Sequence, residues 1–259
     1  MKISPIITEI RDRVGHVVLS RPEKRNALNP EMVEELKNSL SKMIENEEIR
    51  VILIRSEGNV FCSGADLQHL EQMRDNSYAE NLEDSKSLKG LFELIYRYPK
   101  PVVAAVQGHA LAGGCGLVNV CDFAFSVPEA KFGFTEVSIG FVPAIVAYFV
   151  IEKIGAGKAR ELLLSGRLIA AEEALRIGML AGVVEASRLL GHAEAFCIQL
   201  ATSNSAQAIA QTKKLLAEFK GLDLTASLEQ AAVVNAKARE TRDCKEGIAA
   251  FLKKEKKEW

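Results

Sequence analysis

The sequence predicts an α/β protein, with a partly parallel sheet in its body and a helical C-terminal region. Three observations carry that prediction. Short apolar, β-branched runs alternate with helical periodicity through the first half, the order that crossover units produce. After about Phe134 the pattern turns almost wholly helical. The chain has 259 residues, 48% of them hydrophobic, enough to bury a sizeable core in one or two domains.

The elements follow in chain order. "ITEI" and "HVVLS" flank "RDRVG" and read as a hairpin. "NPEMVEELKNSLSKMIENEE" is a helix: Asn29 suits the N-cap, Pro30 the first helical position, and Met32, Val33, Leu36, Leu40 and Ile44 recur at helical spacing. "VILIRS" is a buried strand that turns at Glu57-Gly58, after which "FCSGAD" opens a further helix. "PVVAAVQG" is a strand with Pro101 at its start, where a missing N–H costs little, and "DFAFSV" is another. "AIVAYFVIEKIG", "GKARELLLSG", "AAEEALRIG" and the run from Glu185 to Glu258 are helical. "VPA" and "SNSAQ" mark junctions. These readings divide the chain into a body over residues 1–200 and a helical region over residues 201–259.

Lys plus Arg number 33 against 34 Asp plus Glu, so the net charge is −1. No basic face is implied, which argues against a nucleic-acid partner. The local run "FLKKEKKEW" reads as a solvated helix end. Five cysteines, at 62, 115, 121, 197 and 244, are scattered among apolar neighbours without CxxC or Cys/His ligand spacing. They predict buried free thiols and no metal site. No apolar h-region and no membrane span are visible, so the expected setting is the cytoplasm.

"LAGGCGL" places Gly113, Gly114 and Gly116 where a helix begins. A phosphate loop fails on spacing, since neither GxGxxG nor GxxxxGK[ST] is present. Two readings remain open. The glycines permit close helix–strand packing, or they leave helix N-terminal N–H groups free to hold an oxyanion. The second reading needs another donor, and Ser63-Gly64-Ala65 forms a comparable corner after a strand.

"PEKRNALN" (22–29), "VFCSGADL" (60–67), "GHALAGGCGLVNVCDFAF" (108–125) and "AKFGFTEVSIGFVP" (130–143) occur in one order with regular intervals. Together they resemble the crotonase, or enoyl-CoA hydratase/isomerase, superfamily, over nearly the whole chain. The resemblance implies a spiral of ββα turns, two nearly perpendicular sheets and a helical C-terminal region that builds a homotrimer or a dimer of trimers. It implies a CoA thioester substrate, with no cofactor beyond the coenzyme A that the substrate carries. The thioester oxygen would be held by the backbone N–H groups of Ala65 and Gly113. Lys24, Arg25, Ala27, Leu28, Asp66 and Leu67 match the positions that contact CoA.

Many hydratases of this family use two glutamates. The first follows the oxyanion glycines, where this chain has Gly116. The second is Glu136, in "FGFTEVSIG", flanked by Phe132, Phe134, Val137 and Ile139. That apolar setting predicts a raised pKa, suited to general acid–base work. "GFVPAIVAYFV" departs from the more flexible segment of many two-glutamate hydratases and predicts an altered acyl pocket. The expected activity is hydration of a 2-enoyl-CoA by Glu136 with the Ala65/Gly113 oxyanion hole. A Δ3,Δ2-enoyl-CoA isomerase is the alternative, and a non-catalytic acyl-CoA-binding scaffold is the alternative of another class. His69 is a candidate pocket residue. His109, Asp122, Glu71, Glu83 and Asp84 read as structural or surface groups, and no serine-hydrolase set is present.

Overall fold

The computed structural model describes residues 4–259. Its strands are β1 (Ile6–Arg11), β2 (Val14–Leu19), β3 (Val51–Ser56), β4 (Val60–Cys62), β5 (Val102–Val106), β6 (His109–Leu111), β7 (Phe123–Ser126), β8 (Lys131–Gly133), β9 (Ile169–Ala170) and β10 (Gly182–Val183). Its helices are α1 (Pro30–Ile44), α2 (Leu67–Met73), α3 (Tyr78–Tyr96), α4 (Gly113–Val120), α5 (Ala144–Ser165), α6 (Ala171–Arg176), α7 (Ala186–Ser203), α8 (Ala206–Glu218), α9 (Leu224–Glu240) and α10 (Arg242–Lys253).

The strands sort into two sheets. One runs β1-β2-β3-β5-β7-β10, and the other β4-β6-β8-β9. β1 and β2 form the antiparallel hairpin, and the rest of the first sheet is parallel. Three successive units each give one strand to the first sheet and the next strand to the second before entering a helix: β3-β4-α2, β5-β6-α4 and β7-β8-α5. This is the ββα spiral. The second sheet was visible in the sequence only through the resemblance, because strands of two or three residues carry no readable alternation.

Burial explains the long apolar runs. β2, β3 and β5 are covered on both faces: α1 packs beside β1 and β2 and against α3, while α7 lies across β2, β3, β5 and β7. β5 is buried along its whole length, as expected of a strand in a doubly covered parallel sheet. Asn29 caps α1 by accepting from the Met32 N–H at 2.9 Å, with Pro30 following. The two helical runs of "AIVAYFVIEKIGAGKARELLLS" form one element broken at Gly155, whose φ of 76° is outside the helical region. The run from Glu185 onward resolves into α7, α8, α9 and α10.

Asp122 does more than orient a turn. Its Oδ2 accepts from the Val102 N–H at 2.7 Å and from Lys213 of α8 at 2.6 Å, tying a C-terminal helix to the sheet. Lys153 of α5 donates to the carbonyls of Cys121 and Asp122 at the end of α4, at 2.8 and 2.7 Å. Cys62, Cys115, Cys121 and Cys197 are buried free thiols, and Cys244 on α10 is half-buried. Among the described residues no helix is long and apolar enough to cross a membrane, and no cluster of metal-ligating side chains occurs.

Candidate active site

The site is built where β4 and β6 end. Leu28 and Ala65 form an isolated parallel bridge. Leu28 donates to the Gly64 carbonyl at 2.7 Å and accepts from the Asp66 N–H at 2.9 Å. In such a bridge the central residue's own N–H faces away from its partner. The Ala65 N–H is therefore directed off the bridge, and Ala65 is exposed.

The second corner lies against the first. Gly113 opens α4, so its N–H has no intrahelical acceptor and sits at the positive end of the helix dipole. A Cβ on Gly64 would come within 2.7 Å of the Ala112 Cβ and 3.5 Å of the Gly113 nitrogen. Only glycine permits that approach, and Gly64 also holds a φ of 91°. Ala112 adopts φ 50°, ψ −125°, a strained conformation for a residue with a side chain. It is held by its N–H donating to the Gly133 carbonyl at 2.7 Å. The glycines thus divide their work. Gly113 offers a donor, while Gly114 packs, since a Cβ there would lie 2.3 Å from the Cys62 carbonyl oxygen.

Glu136 follows β8, in a 3-10 turn over Thr135–Ile139. β8 pairs with β6, the strand that leads into α4, so Glu136 follows β8 on the side of the sheet where α4 begins. Its Oε2 is buried and has no hydrogen-bond partner. Burial pushes the carboxyl above its usual range, and the Glu136 N–H opposes this in part. The apolar setting is one-sided. Phe132 and Phe134 are fully buried, whereas Val137 and Ile139 are exposed.

Gly116 is buried inside α4. A Cβ there would meet Val146 Cγ1 at 2.2 Å and Phe92 Cε1 at 3.0 Å. The volume that a side chain at this position would need is already filled by Val146, from the "AIVA" turn of α5, and by Phe92 of α3.

The remaining candidates are distributed around this centre. Lys24 and Arg25 lie exposed in and after the 3-10 turn Pro22–Lys24, and the Arg25 carbonyl accepts from the Ser63 N–H at 3.1 Å. Ala27 and Leu28 are buried, and Leu67 is 82% exposed. The Asp66 carboxylate is engaged inside the protein, accepting from Arg21 at 3.0 Å and from the Gln68 N–H at 2.9 Å, which caps α2. His69 binds Asp84 at 2.8 Å, linking α2 to α3. The His109 Nδ1 accepts from the Lys131 N–H at 3.1 Å. A cavity of about 790 Å³ opens at the other end of α4, lined by residues including Asn119, Lys153 and Lys213. It is separate from the Gly113 end, and its lysines, Lys153, Lys213 and Lys220, already hold oxygen partners. Arg21 and Phe92 are participants that the sequence did not signal. Val146 lies in the segment expected to alter the acyl pocket, but its place over Gly116 depends on how α5 meets α4.

A β-β-α spiral in two sheets, with two backbone donors at adjoining corners, defines a crotonase-type protein. The family described as enoyl-CoA hydratase/isomerase matches residues 9–259. A Thermus thermophilus relative, named as an inferred enoyl-CoA hydratase, is 40% identical over 244 residues, covering 94% of this chain and 96% of its own. Crotonyl-CoA hydratase of Syntrophomonas wolfei is 31% identical over 258 residues, covering 99% and 98%. The crystal structure of an enoyl-CoA hydratase from Shewanella pealeana superposes with a TM-score of 0.93 at 28% identity, over 98% of this chain and 96% of that one. The chain belongs to the enoyl-CoA hydratase/isomerase family.

Proposed function

We propose that this chain is an enoyl-CoA hydratase that adds water to a 2-enoyl-CoA thioester with a single carboxyl group. The observation that carries the reading is Glu136, whose buried, unpartnered Oε2 lies just after β8, the strand paired with β6, which leads into the helix that begins at Gly113. The hydratase names of the relatives support it. The thioester oxygen accepts from the Ala65 and Gly113 N–H groups. The Glu136 carboxylate takes a proton from water as the water oxygen bonds to Cβ, and the displaced π electrons gather on the thioester oxygen as an enolate. The enolate then takes the proton from Glu136 at Cα, which restores the carbonyl and the carboxylate. Each preorganised donor is worth about 3 kcal/mol to such an intermediate.

One feature favours the isomerase as a second reading. Val146 and Phe92 leave the Gly116 side apolar, and proton transfer between carbons needs no bound water. Crotonyl-CoA and a 3-enoyl-CoA separate the two: loss of conjugated enoyl absorbance marks hydration, and its gain marks isomerisation. Glu136→Gln is expected to lower either rate at least 100-fold, and a variant with full rate overturns the mechanism. A folded protein that binds CoA thioesters but turns over none of them would be the scaffold.

Lys24 and Arg25 are proposed to meet the CoA phosphates as point charges, and Ala27, Leu28, Asp66 and Leu67 to border the CoA with their backbone. A homotrimer or dimer of trimers is proposed on the exposed apolar side chains Ile139, Phe141 and Val142, and Leu228, Ile248 and Phe251 of the C-terminal helices. Sedimentation velocity at micromolar concentration is expected to give a species of at least three chains, and monomer alone would overturn this. The reduced, buried thiols suit a cytoplasmic setting.

A further inference from the structure

The two donors of the oxyanion site are held in different ways. Gly113 belongs to α4, in which seven of eight residues are buried. Its N–H direction is fixed by a helix locked in the core. Ala65 has no such support. It lies between a three-residue strand and α2, and α2 buries none of its residues. Whatever fixes the Ala65 N–H must therefore act from the other side of its bridge, from the loop that carries Leu28.

Arg21 occupies that position. Its Nη1 donates to the Ala27 carbonyl at 2.9 Å, and its Nη2 donates to Asp66 Oδ2 at 3.0 Å. Ala27 precedes Leu28 and Asp66 follows Ala65, so one planar guanidinium grips both strands of the Leu28–Ala65 bridge. The pair is secluded, with 17% of the Arg21 and 6% of the Asp66 side chain exposed. Arg21 is itself anchored. Its N–H donates to Asn26 Oδ1 at 2.9 Å, and its carbonyl accepts from the Asn26 N–H at 2.9 Å. Asn26 is fully buried in a left-handed turn at φ 53°. Its Nδ2 donates to the carbonyls of Glu57 and Val60, both at 2.8 Å. The chain of bonds runs from the β3–β4 turn through Asn26 and Arg21 to Ala27 and Asp66, the neighbours of the two bridge residues.

We infer that Arg21 is a positioning residue for the reaction, whose two-pronged grip on Ala27 and Asp66 aims the Ala65 N–H at the thioester oxygen. The inference rests on the oxyanion reading of Ala65 proposed above. A lysine cannot replace the guanidinium, because an ammonium is one point of charge and cannot hold two acceptors in a fixed plane. The expected signature is loss of carbonyl polarisation with a fall in kcat much larger than any rise in KM, since Arg21 holds Ala27 and Asp66 from behind and does not itself touch the substrate.

The test uses full-length protein and a chromophoric enoyl thioester, 4-dimethylaminocinnamoyl-CoA, whose absorbance moves to longer wavelength when its carbonyl is polarised. Wild type is expected to shift the bound chromophore to the red, and Glu136→Gln to keep that shift while losing turnover. Arg21→Lys and Arg21→Gln are expected to lose at least half of the shift and roughly 10- to 100-fold in kcat, with KM within about threefold. Arg21→Lys keeps the charge and a hydrogen bond, so it serves if Arg21→Gln fails to fold, and thermal unfolding checks each variant. Asp66→Asn, which removes the charge and leaves one acceptor oxygen where Arg21 and the Gln68 N–H use two, is expected to lose part of the shift and lie between wild type and Arg21→Lys. If wild type gives no red shift, the oxyanion reading itself fails. If wild type shifts and folded Arg21→Lys matches it in both shift and kcat, the role of Arg21 is overturned.

Discussion

Glu136 carries a stability cost as well as a proposed task. Burial raises its pKa above the ordinary value of 4.5, so the folded chain binds that proton more tightly than the unfolded chain does. Above pH 4.5 the unfolded state releases the proton first. Stability then falls with rising pH, by up to about 1.4 kcal/mol per unit, until the folded pKa is passed. Glu136→Gln removes that loss. Its Tm is expected to exceed the wild-type value at pH 7, with the gap closing as the pH approaches 4. Calorimetry across that range checks this, and a gap that does not change with pH would show that the carboxyl bears no burial penalty. Arg21 and Asp66 have the opposite sense. Burial raises the Asp66 pKa, but Arg21 and the first N–H groups of α2 outweigh it and hold the carboxyl low. That contribution persists at neutral pH and is lost only as acid protonates Asp66.

At the scale of elements, α4 and α5 fit by complementary volumes. Val146 takes the space over Gly116, so a side chain at 116 and a branched side chain at 146 exclude each other. Gly116→Glu alone is expected to overpack the site, costing about 2 kcal/mol, without gain in hydration. Gly116→Glu with Val146→Gly opens the slot. The double variant is expected to hydrate crotonyl-CoA at least about tenfold faster than Gly116→Glu alone, since a second acid–base group then fits. Rates with crotonyl-CoA and chemical denaturation of both variants check the two halves. These same helices show how much of the site the sequence could carry. Capped, periodic helices such as α1 and apolar runs such as β3 were legible, because their signals are local. The adjoining corners at Ala65 and Gly113 were legible as glycine-marked helix starts within a familiar pattern. The "AIVA" segment was legible as a changed pocket wall, but the contact of Val146 with Gly116 and the grip of Arg21 on Asp66 were not, because each partner lies thirty or more residues away, where only the tertiary fold decides its placement.

For the whole molecule, the body and the C-terminal helices are joined by a charge held in a sparsely hydrated place. Lys213 keeps 11% of its side chain exposed and meets Asp122 at 2.6 Å, with the carbonyls of Ile95 and Lys100 each at 3.3 Å. Asp122→Ala strands that ammonium and also frees the Val102 N–H. It is expected to cost about 2 kcal/mol, and Lys213→Met about the same. The double variant is expected to cost less than the sum, because the second loss removes the unpaired charge that the first creates. A thermodynamic cycle by urea unfolding measures the coupling. Strict additivity would show that α8 is held by its packing alone.

The cysteines have a practical consequence for following those helices. Burial pushes the Cys62, Cys121 and Cys197 thiols up to about 12, and Cys115 higher still. An alkylating reagent needs a thiolate it can reach, so at neutral pH these four stay silent in the folded protein. Cys244, half-buried on α10, is left as the labelling site in the unmodified sequence. A fluorophore attached there reports movement or subunit contact of the C-terminal helices without engineered cysteines, and exposure of the other thiols to the same reagent counts unfolded molecules.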